Sequence, residues 1–486
     1  MINITKFLYI PLILYFFPAF VFFIGEKSYF PFLIIIVPIA MVLLSLHNKQ
    51  NLFKEFCFLY KNTQMKYFVY LYCWLLLSSF ISFLCGWYYS FYRFFLYVII
   101  GFTFRGVLLY LFPQFVIPKF VSLKNIIKLF VIAYLFIFLW GIFEFIGAYF
   151  QIDIINSCIS FLSNIREEEK SLILESLSGL PRIRSVSMEP GTFGLFIAVN
   201  LPIIYSLCLS KTRVLNNTIM NFVTKKSLII LAWICLIMTQ SPIYLIICSL
   251  LTIVIFFKRM LCFLKKHYKS FLLLFVILTC VIFLVVNTVD LSKSYISRIL
   301  NFVSELSTFD IERIIFADPS MGTRIVNNIN QICLFLKHPV LGIGFGNNGP
   351  MLISQLAHSP IPLTSEMQKA LNSADNSIAI TSNAMYYLLF QTGLIGFALY
   401  CLFMTKCIKY LNKVKKYFYG IEFLFVDGLR KSLMCMFLIS ILYNQNFVDQ
   451  YVFFLTSISC AIVVIAKLRI KKLNESERQL VDEKSQ

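Results

Sequence analysis

The sequence is dominated by long apolar segments, and these constrain its fold more than any other feature. Twelve segments are long enough, at about 20 residues in most cases, to form helices that cross about 30 Å of hydrocarbon. They cover residues 7–24, 29–46, 67–87, 94–112, 128–150, 191–209, 227–239, 242–257, 270–288, 383–405, 432–446 and 450–466. A transmembrane β-barrel would instead show alternating segments of about 10 residues. The pattern therefore predicts an all-α polytopic integral membrane protein with about 12 transmembrane helices.

The composition excludes several other classes of protein. Of the 486 residues, 59% are hydrophobic and 14% are charged, whereas a soluble domain is typically about 45–50% apolar and about 25% charged. This excludes a soluble enzyme, a disordered chain and a secreted disulfide scaffold. Residues 1–24 contain one lysine and no small-residue cleavage site, which favours an uncleaved first helix over a signal peptide.

The formal net charge of +20 is explained by membrane orientation. If the N-terminus is cytoplasmic, 30 of the 43 Lys and Arg residues fall in cytoplasmic segments and every short basic loop lies on one side. This is the distribution that the positive-inside rule describes. It predicts that both termini are cytoplasmic, and it explains the charge without a nucleic-acid partner.

The predicted spans divide the chain into four parts. These are nine N-terminal spans within 1–288, which include an extracytoplasmic loop at 151–190; a large extracytoplasmic loop at 289–382; three C-terminal spans within 383–466; and a cytoplasmic tail at 467–486. The tail is polar beyond residue 473, and we expect it to be disordered there.

Two details of the spans concern their local structure. The short seventh and eighth spans are joined by Gln240-Ser241-Pro242, which predicts either a tight hairpin or helices broken at membrane depth. Glu144 lies inside a span, where an ionisable side chain usually faces a cavity or a partner. An arginine would be a suitable partner for it.

An amphipathic helix is predicted within the large loop. In the stretch 324–337, Ile325, Ile329, Ile332 and Leu336 fall on one helical face. Such a helix either lies on the membrane or packs against the bundle.

Cysteine and histidine give no metal-site pattern. Only two of the 14 cysteines, Cys158 and Cys333, fall in the predicted outside loops. They could form a disulfide, but two unrelated buried thiols are the favoured interpretation. The four histidines are scattered and no Cys/His cluster has metal-ligand spacing, so we expect neither a metal nor a cofactor.

The first segment that could carry chemistry precedes the sixth span. It contains Arg182, Arg184 and Glu189 among glycines and prolines. Arginine suits phosphate recognition because its guanidinium group is a planar, bidentate donor. The alternative is an interfacial anchor followed by a helix that begins at Pro190; we favour the functional interpretation.

Two further segments flank the large loop. Arg324 precedes the amphipathic helix, which leads into a glycine-rich stretch, 337–349, that contains His338 and Asn347. No strand precedes these glycines, which excludes a dinucleotide-binding loop; they either allow close approach to a ligand or form an ordinary turn. The stretch 382–396 begins with Ser382-Asn383 and contains Gly393 and Gly396, and taken alone it indicates a helix cap and close helix contact.

Together these features resemble the Wzy-type O-antigen polymerases, part of the O-antigen polymerase/ligase superfamily of bacterial surface polysaccharide assembly. Three motifs carry the resemblance: Met188-Glu189-Pro190 through Gly194, Arg324 followed by His338-Pro339 through Gly344, and Ser382-Asn383 through Gly396. They cover roughly 180–405. Their order and their common predicted side of the membrane support the likeness.

The resemblance implies glycosyl transfer on the outer face of the bacterial inner membrane. The donor would be a glycan on undecaprenyl pyrophosphate, embedded in membrane lipid, and a polysaccharide chain-length regulator would be a partner. By this resemblance, Arg184 and Arg324 are expected to be catalytic together with Glu189, the first candidate for a general base. Further substrate-binding candidates follow: Arg182, His338, Asn347, His358 and Asn383.

The sequence departs from the ligase pattern at one position that bears on function. The ligase-like motif has His before the Asn, where this chain has Ser382. In ligases that histidine is thought to help deprotonate the acceptor, so its absence favours a polymerase. A ligase remains one alternative. A lipid-linked oligosaccharide flippase is the other, although it would lack so long an outside loop.

Overall fold

The structure is a computed structural model of the chain. It describes residues 8–16, 21–24, 28–31, 36–41, 52–87, 91–95, 98–101, 107–163, 181–185, 187, 190–208, 218–241, 243–257, 304–305, 308, 310–317, 319–372, 384–442 and 450–485. The predicted span 270–288 lies outside them.

The described chain is almost entirely helical. In its N-terminal part the elements are α1 (Tyr9–Leu14), β1 (Val21–Ile24), β2 (Ser28–Pro31), α2 (Leu52–Asn62), α3 (Met65–Leu84), α4 (Phe91–Phe94), α5 (Leu108–Phe120), α6 (Leu123–Tyr149), α7 (Asp153–Ser163), α8 (Pro190–Cys208), α9 (Thr218–Met238) and α10 (Ile243–Phe257). The C-terminal part contains α11 (Ile311–Ala317), α12 (Pro319–Lys337), α13 (Asn348–Leu356), α14 (Ser365–Asn372), α15 (Ala384–Val414), a 3₁₀ turn (Lys415–Tyr417), α16 (Gly420–Leu442) and α17 (Gln450–Ser485).

Five helical stretches among the described residues are long and apolar enough to cross a membrane. They are Met65–Leu84, Leu123–Tyr149, Pro190–Cys208, Met385–Tyr417 and Val452–Ser476. Each overlaps one of the predicted spans. The chain is thus consistent with a polytopic membrane protein, while the number twelve and the placement of loops stay predictions.

The helices pack around two hydrophobic cores. The larger core joins α3, α5, α6, α8, α9, α15, α16 and α17. The second core is small and is built around Ile315, Val326, Leu334, Leu352 and Phe390. It holds α11 to α14 together and attaches them to the beginning of α15. We call residues 310–372 the cap.

The short helices α9 and α10 lie side by side against α8. The Trp233 indole Nε1 of α9 donates to the Tyr205 hydroxyl at 2.9 Å, and the Thr252 hydroxyl of α10 lies 3.0 Å from the same oxygen. Thr239 and Gln240 form a turn after α9. This is the tight-hairpin alternative of the two that the sequence left open.

The prediction of helix throughout the first two spans was wrong in one place. Strands β1 and β2 pair antiparallel, with Phe22 opposite Phe30. Both strands are rich in aromatic or β-branched residues, which favour extended backbone. The sequence between them contains Gly25, a residue typical of short hairpin connections. The all-α description therefore holds for the rest of the described chain but not here.

Two predicted surface segments are helical instead. The tail was expected to be disordered beyond residue 473, but α17 continues to Ser485; Lys471 and Glu475 form an i,i+4 ion pair at 3.7 Å there, which supports an exposed helix. The predicted loop 113–128 begins within α5, where Val116 and Ile117 are buried. Burial of this apolar face against α17 stabilises the helix.

Candidate functional site

The glycine-rich stretch after α12 joins a break in α15. Backbone N–H groups of Ile343 and Gly344 donate to the carbonyls of Phe390 and Gln391 at 2.8 and 2.9 Å. In return, the N–H of Leu394 donates to the Pro339 carbonyl at 2.9 Å. The loop thus satisfies backbone groups that the break frees from helical hydrogen bonding. We call residues 338–347 together with 390–394 the interlock.

Glycine is required on both sides of the interlock because two backbones meet there. Gly393 breaks the helix with φ 68° and ψ −175°, and a Cβ on it would lie 1.9 Å from the Val340 carbonyl oxygen. Gly342 has φ 69°, and its Cβ would lie 2.3 Å from the Gln391 carbonyl carbon. Close approach by these glycines is therefore to the chain itself, not to a ligand.

The Asn347 side chain stabilises the glycine-rich loop through hydrogen bonds to the backbone. Its side chain is fully buried, and its Nδ2 donates to the carbonyls of Trp87 and Ile343. The neighbouring Phe345 N–H donates to the Ser79 hydroxyl of α3 at 2.9 Å. Asn347 therefore anchors the loop to the end of α3, in contrast to the direct substrate-binding role expected from the sequence.

The amphipathic helix in the large loop is confirmed as α12, but its buried face differs from the predicted one. Leu336, at the end of the predicted apolar face, is 68% exposed, whereas Asn327, Asn330 and Gln331 are almost completely buried. Val326 and Leu334 accompany them inside the cap. The sequence suggested an apolar inner face, yet the cap builds its interior around amide side chains.

An open cleft of about 310 Å³ lies on the cap beside the interlock. Its lining combines one cation, two imidazoles and several polar and apolar groups: Leu334, Lys337, His338, Met351, Ser354, Gln355 and His358. The structure therefore brings His338 and His358, two of the candidates, to one place. A concave site with a few convergent polar groups is the usual form of a binding site.

A chain of hydrogen bonds fixes one wall of the cleft. Lys337 Nζ donates to Gln355 Oε1 at 2.7 Å, and Gln355 Nε2 donates to Asn330 Oδ1 at 3.5 Å. The buried Asn330 Nδ2 donates in turn to the Ser359 hydroxyl at 3.0 Å. Because one Lys337 N–H is used in this chain, the ammonium group is held in place while its other donors stay available.

The two histidines of the cleft have different surroundings. The His338 ring packs on Trp87, with 4.1 Å between ring centroids. Burial, and then the charge of Lys337, lower the pKa of His338, which favours the neutral form of its ring. His358 is exposed, and its Nδ1 lies 3.1 Å from the Ser354 carbonyl oxygen. Since a carbonyl only accepts, Nδ1 carries the proton and Nε2 of neutral His358 is a proton acceptor.

The arginine segment lies elsewhere, between α6 and the end of α9. Glu144 Oε2 accepts from the backbone N–H groups of Arg184 and Ser185 at 3.0 and 2.6 Å, and Glu144 Oε1 lies 3.5 Å from Arg184 Nε. Arg184 is 2% exposed. The arginine partner expected for Glu144 is therefore Arg184. The expected pyrophosphate-facing role of Arg184 does not fit, because its guanidinium group is in a buried ion pair.

The remaining candidates are placed in part. Arg182 is half-buried, and its Nε donates to the Thr239 carbonyl at 3.2 Å. Arg324 is half-buried in the first half of α12. Glu189 and Asn383 lie outside the described residues. Cys158 and Cys333 are both free thiols, as the favoured interpretation predicted, but the prediction that they are buried was wrong, because Cys158 is exposed and Cys333 is half-buried. No cluster of three metal-ligating side chains occurs in the described part of the chain.

Sequence reasoning missed the groups that connect these segments. Trp87 and Gln355 carry no motif, and only their positions in the fold bring them to His338 and Lys337. The sequence did contain an indication of the interlock, because both of its segments contain glycine. However, Gly342 and Gly393 were interpreted separately. Their pairing depends on backbone conformation that a spacing pattern does not reveal.

Comparison with known proteins gives a family match. A family model described as O-antigen ligase matches residues 227–401, a stretch that includes the second half of α9, α10, the cap, the cleft and the interlock. No curated protein matches the chain significantly. Over these residues the chain is similar to the O-antigen polymerase/ligase superfamily of surface polysaccharide assembly, and the match does not distinguish polymerisation from ligation.

Proposed function

We propose that the protein polymerises undecaprenyl-pyrophosphate-linked oligosaccharide repeat units into O-antigen or a related surface polysaccharide. The observation that carries the proposal is that the family match, at 227–401, coincides with the cap, its cleft and the broken helix α15. The helices that could cross a membrane fit a lipid-linked substrate. We place the reaction on the outer face of the bacterial inner membrane, where a chain-length regulator would act beside the protein.

The reaction is a substitution at the donor's anomeric carbon. A hydroxyl oxygen of the acceptor repeat unit forms the new glycosidic bond to that carbon. The bond between the carbon and the pyrophosphate oxygen breaks, and its electron pair leaves with undecaprenyl pyrophosphate. The acceptor's proton goes to a base. Stabilising the charge that develops on the leaving group is the larger requirement, because fixed cations act there without reorganisation.

We assign the general base to His358 and the binding of the acceptor to the cleft. His358 is accessible, and its Nδ1 contact with the Ser354 carbonyl leaves Nε2 to accept the proton. His338 is the weaker choice because its ring packs on Trp87; we give it, with Lys337, a role in binding the acceptor glycan. General-base catalysis of this kind contributes roughly 10²–10⁴-fold in rate.

We assign the leaving-group cations to Arg324 and Arg182. Glu189, the first candidate for the general base from the sequence, is assigned the role of a second acid–base group, and Asn383 keeps its proposed role as a substrate contact. Arg184 is instead assigned a positioning role, since its ion pair with Glu144 fixes the segment that carries Arg182. No metal or cofactor enters this scheme.

Deleting the gene in its host tests the function. A silver-stained lipopolysaccharide gel of the deletion strain should show at most one repeat unit on the lipid A core. Retained long, laddered chains would refute the proposal. Polymer that accumulates on undecaprenyl pyrophosphate and is lost from lipid A would identify a ligase, and loss of repeat units from the outer face would identify a flippase.

Complementation with variants tests the assigned residues. Arg324→Ala and His358→Gln should each fail to restore the ladder while the protein still accumulates in the membrane. Arg313→Ala is the matched control, because Arg313 lies in the same cap but is exposed and pairs with Asp310. It should restore a normal ladder. A normal ladder with His358→Gln would remove His358 as the base.

A further inference from the structure

A second site with ligand-binding chemistry lies at the ends of two candidate membrane spans, away from the cap. Lys66, at the beginning of α3, and Lys406, in the second half of α15, both lie over the ring of Tyr67. Each Nζ atom is 5.2 Å from the ring centroid. The two ammonium groups are therefore no more than twice that distance apart. Like charges repel each other, and an anion bound near both would offset that repulsion.

Protein carboxylates do not supply that anion within the described part of the chain. Lys66 and Lys406 make no ion pair with a described carboxylate. Three carboxylates of other described helices are engaged with other cations: Glu55 pairs with Lys119, Glu422 with Arg469, and Asp427 with Lys415, Arg430 and Lys431.

The surroundings of Lys66 and Lys406 add to the site. The turn before α3 is fixed to α17, because Gln64 Nε2 donates to the Ser459 hydroxyl at 2.8 Å. A third cation stands at this turn, where Lys467 Nζ donates to the neutral amide oxygen of Asn62 at 3.1 Å. Tyr70 packs edge-on against Tyr67 and is 44% exposed.

We infer that Lys66, Lys406 and the Tyr67 ring form a binding site for the phosphate of an anionic phospholipid headgroup. Lys66 is the second residue of the candidate span Met65–Leu84, and Lys406 is the first charged residue of α15. We therefore place the site near the level of the lipid phosphates at a membrane surface. Lysine and an amphipathic aromatic ring are the groups that proteins use at this depth. The cations neutralise the phosphate, and the phosphate relieves the repulsion between them. This inference does not depend on the proposed glycosyl transfer.

Titration of the purified, delipidated protein in neutral detergent tests the site. Phosphatidylglycerol should bind, as counted by native mass spectrometry, and should raise the thermal midpoint more than phosphatidylcholine. The double variant Lys66→Gln/Lys406→Gln should bind phosphatidylglycerol roughly 30-fold more weakly, because each lysine near an anionic headgroup contributes about 1 kcal/mol and tenfold corresponds to about 1.4 kcal/mol.

A matched variant separates this site from general charge. Lys409→Gln/Lys413→Gln removes two charges from exposed positions of the same helix and should change the affinity less than about threefold. Equal losses in the two double variants would overturn the inference. So would the same stabilisation from inorganic phosphate alone, which would indicate a site for a free anion. If the double variant does not fold, Lys406→Gln alone should lose about fivefold in affinity, and an unchanged affinity would also overturn the inference.

Discussion

Replacing Gly393 with Ala should disrupt the interlock and lower the stability of the protein more than Gly86→Ala or Gly191→Ala. The backbone at Gly393 has φ 68° and ψ −175°, a region that is essentially restricted to glycine and that costs a residue with a Cβ roughly 1–3 kcal/mol. The added Cβ would lie 1.9 Å from the Val340 carbonyl oxygen, so the loop must move away. That movement weakens the hydrogen bonds from Ile343, Gly344 and Leu394, each worth about 1 kcal/mol. Together these effects should lower the free energy of unfolding by about 3–5 kcal/mol.

Two other glycines serve as controls, because the estimate for Gly393→Ala combines backbone strain with the close contact to Val340. Gly86 has φ +73°, but a Cβ there meets nothing within 4 Å, so Gly86→Ala carries the backbone strain alone. Gly191 also faces open space, has no unusual φ and lies in helix α8. Gly191→Ala should therefore be neutral or slightly stabilising, by up to about 1 kcal/mol.

The assay is thermal unfolding of the purified variants in mild detergent, followed by size-exclusion chromatography of the folded fraction. The midpoints should fall in the order Gly191→Ala, Gly86→Ala, Gly393→Ala, and limited proteolysis should cut the cap of the last variant first. A Gly393→Ala protein as stable as Gly86→Ala would refute the close backbone contact between the cap and α15.

Three further predictions follow from charged groups and from the cleft. Glu144→Gln should lower the free energy of unfolding in detergent by about 3–5 kcal/mol, because it leaves Arg184 buried without its carboxylate. The control Glu475→Gln breaks an exposed ion pair and should lower it by no more than about 0.5 kcal/mol. Equal losses in the two variants would contradict a buried ion pair. Burial alone would raise the pKa of Asp427, but Lys431 and Arg430 outweigh it and lower this pKa from 3.8 to about 2. The ionised Asp427 carboxylate therefore stabilises the folded protein above about pH 4, and this contribution is lost as the pH falls towards 2. Asp427→Asn should remove this part of the pH dependence of the free energy of unfolding. His358→Gln should lower the transfer rate about 10²-fold or more, with little change in the thermal midpoint. An unchanged transfer rate would exclude a proton-accepting role for His358.

The long apolar segments predicted five candidate membrane helices because hydrophobic length is a local property of the sequence. Met65–Leu84 and Leu123–Tyr149 differ from their predicted spans by a few residues. The periodicity of 324–337 likewise predicted α12. It did not predict which face is buried, because the buried Asn330 side chain is stabilised by Ser359, a partner distant in sequence.

The candidate site was predictable only in fragments. Glu144 and Arg184 could be anticipated as a pair from the cost of an ionisable group inside a span. The contact between Trp87 and His338 could not be anticipated, because the two residues are 251 positions apart along the chain and Trp87 belongs to no local pattern. The glycine at 393 signalled close contact, but the partner backbone at 340 became clear only from the fold.

The most direct test of the central claim is reconstitution of the purified protein in liposomes with the lipid-linked repeat unit extracted from the deletion strain. The account predicts a ladder of lipid-linked polymer and release of one undecaprenyl pyrophosphate for each bond formed. Arg324→Ala should abolish both products, and Arg313→Ala should leave both unchanged. Repeat units that stay unpolymerised with correctly folded wild-type protein, or that only move between leaflets, would contradict it.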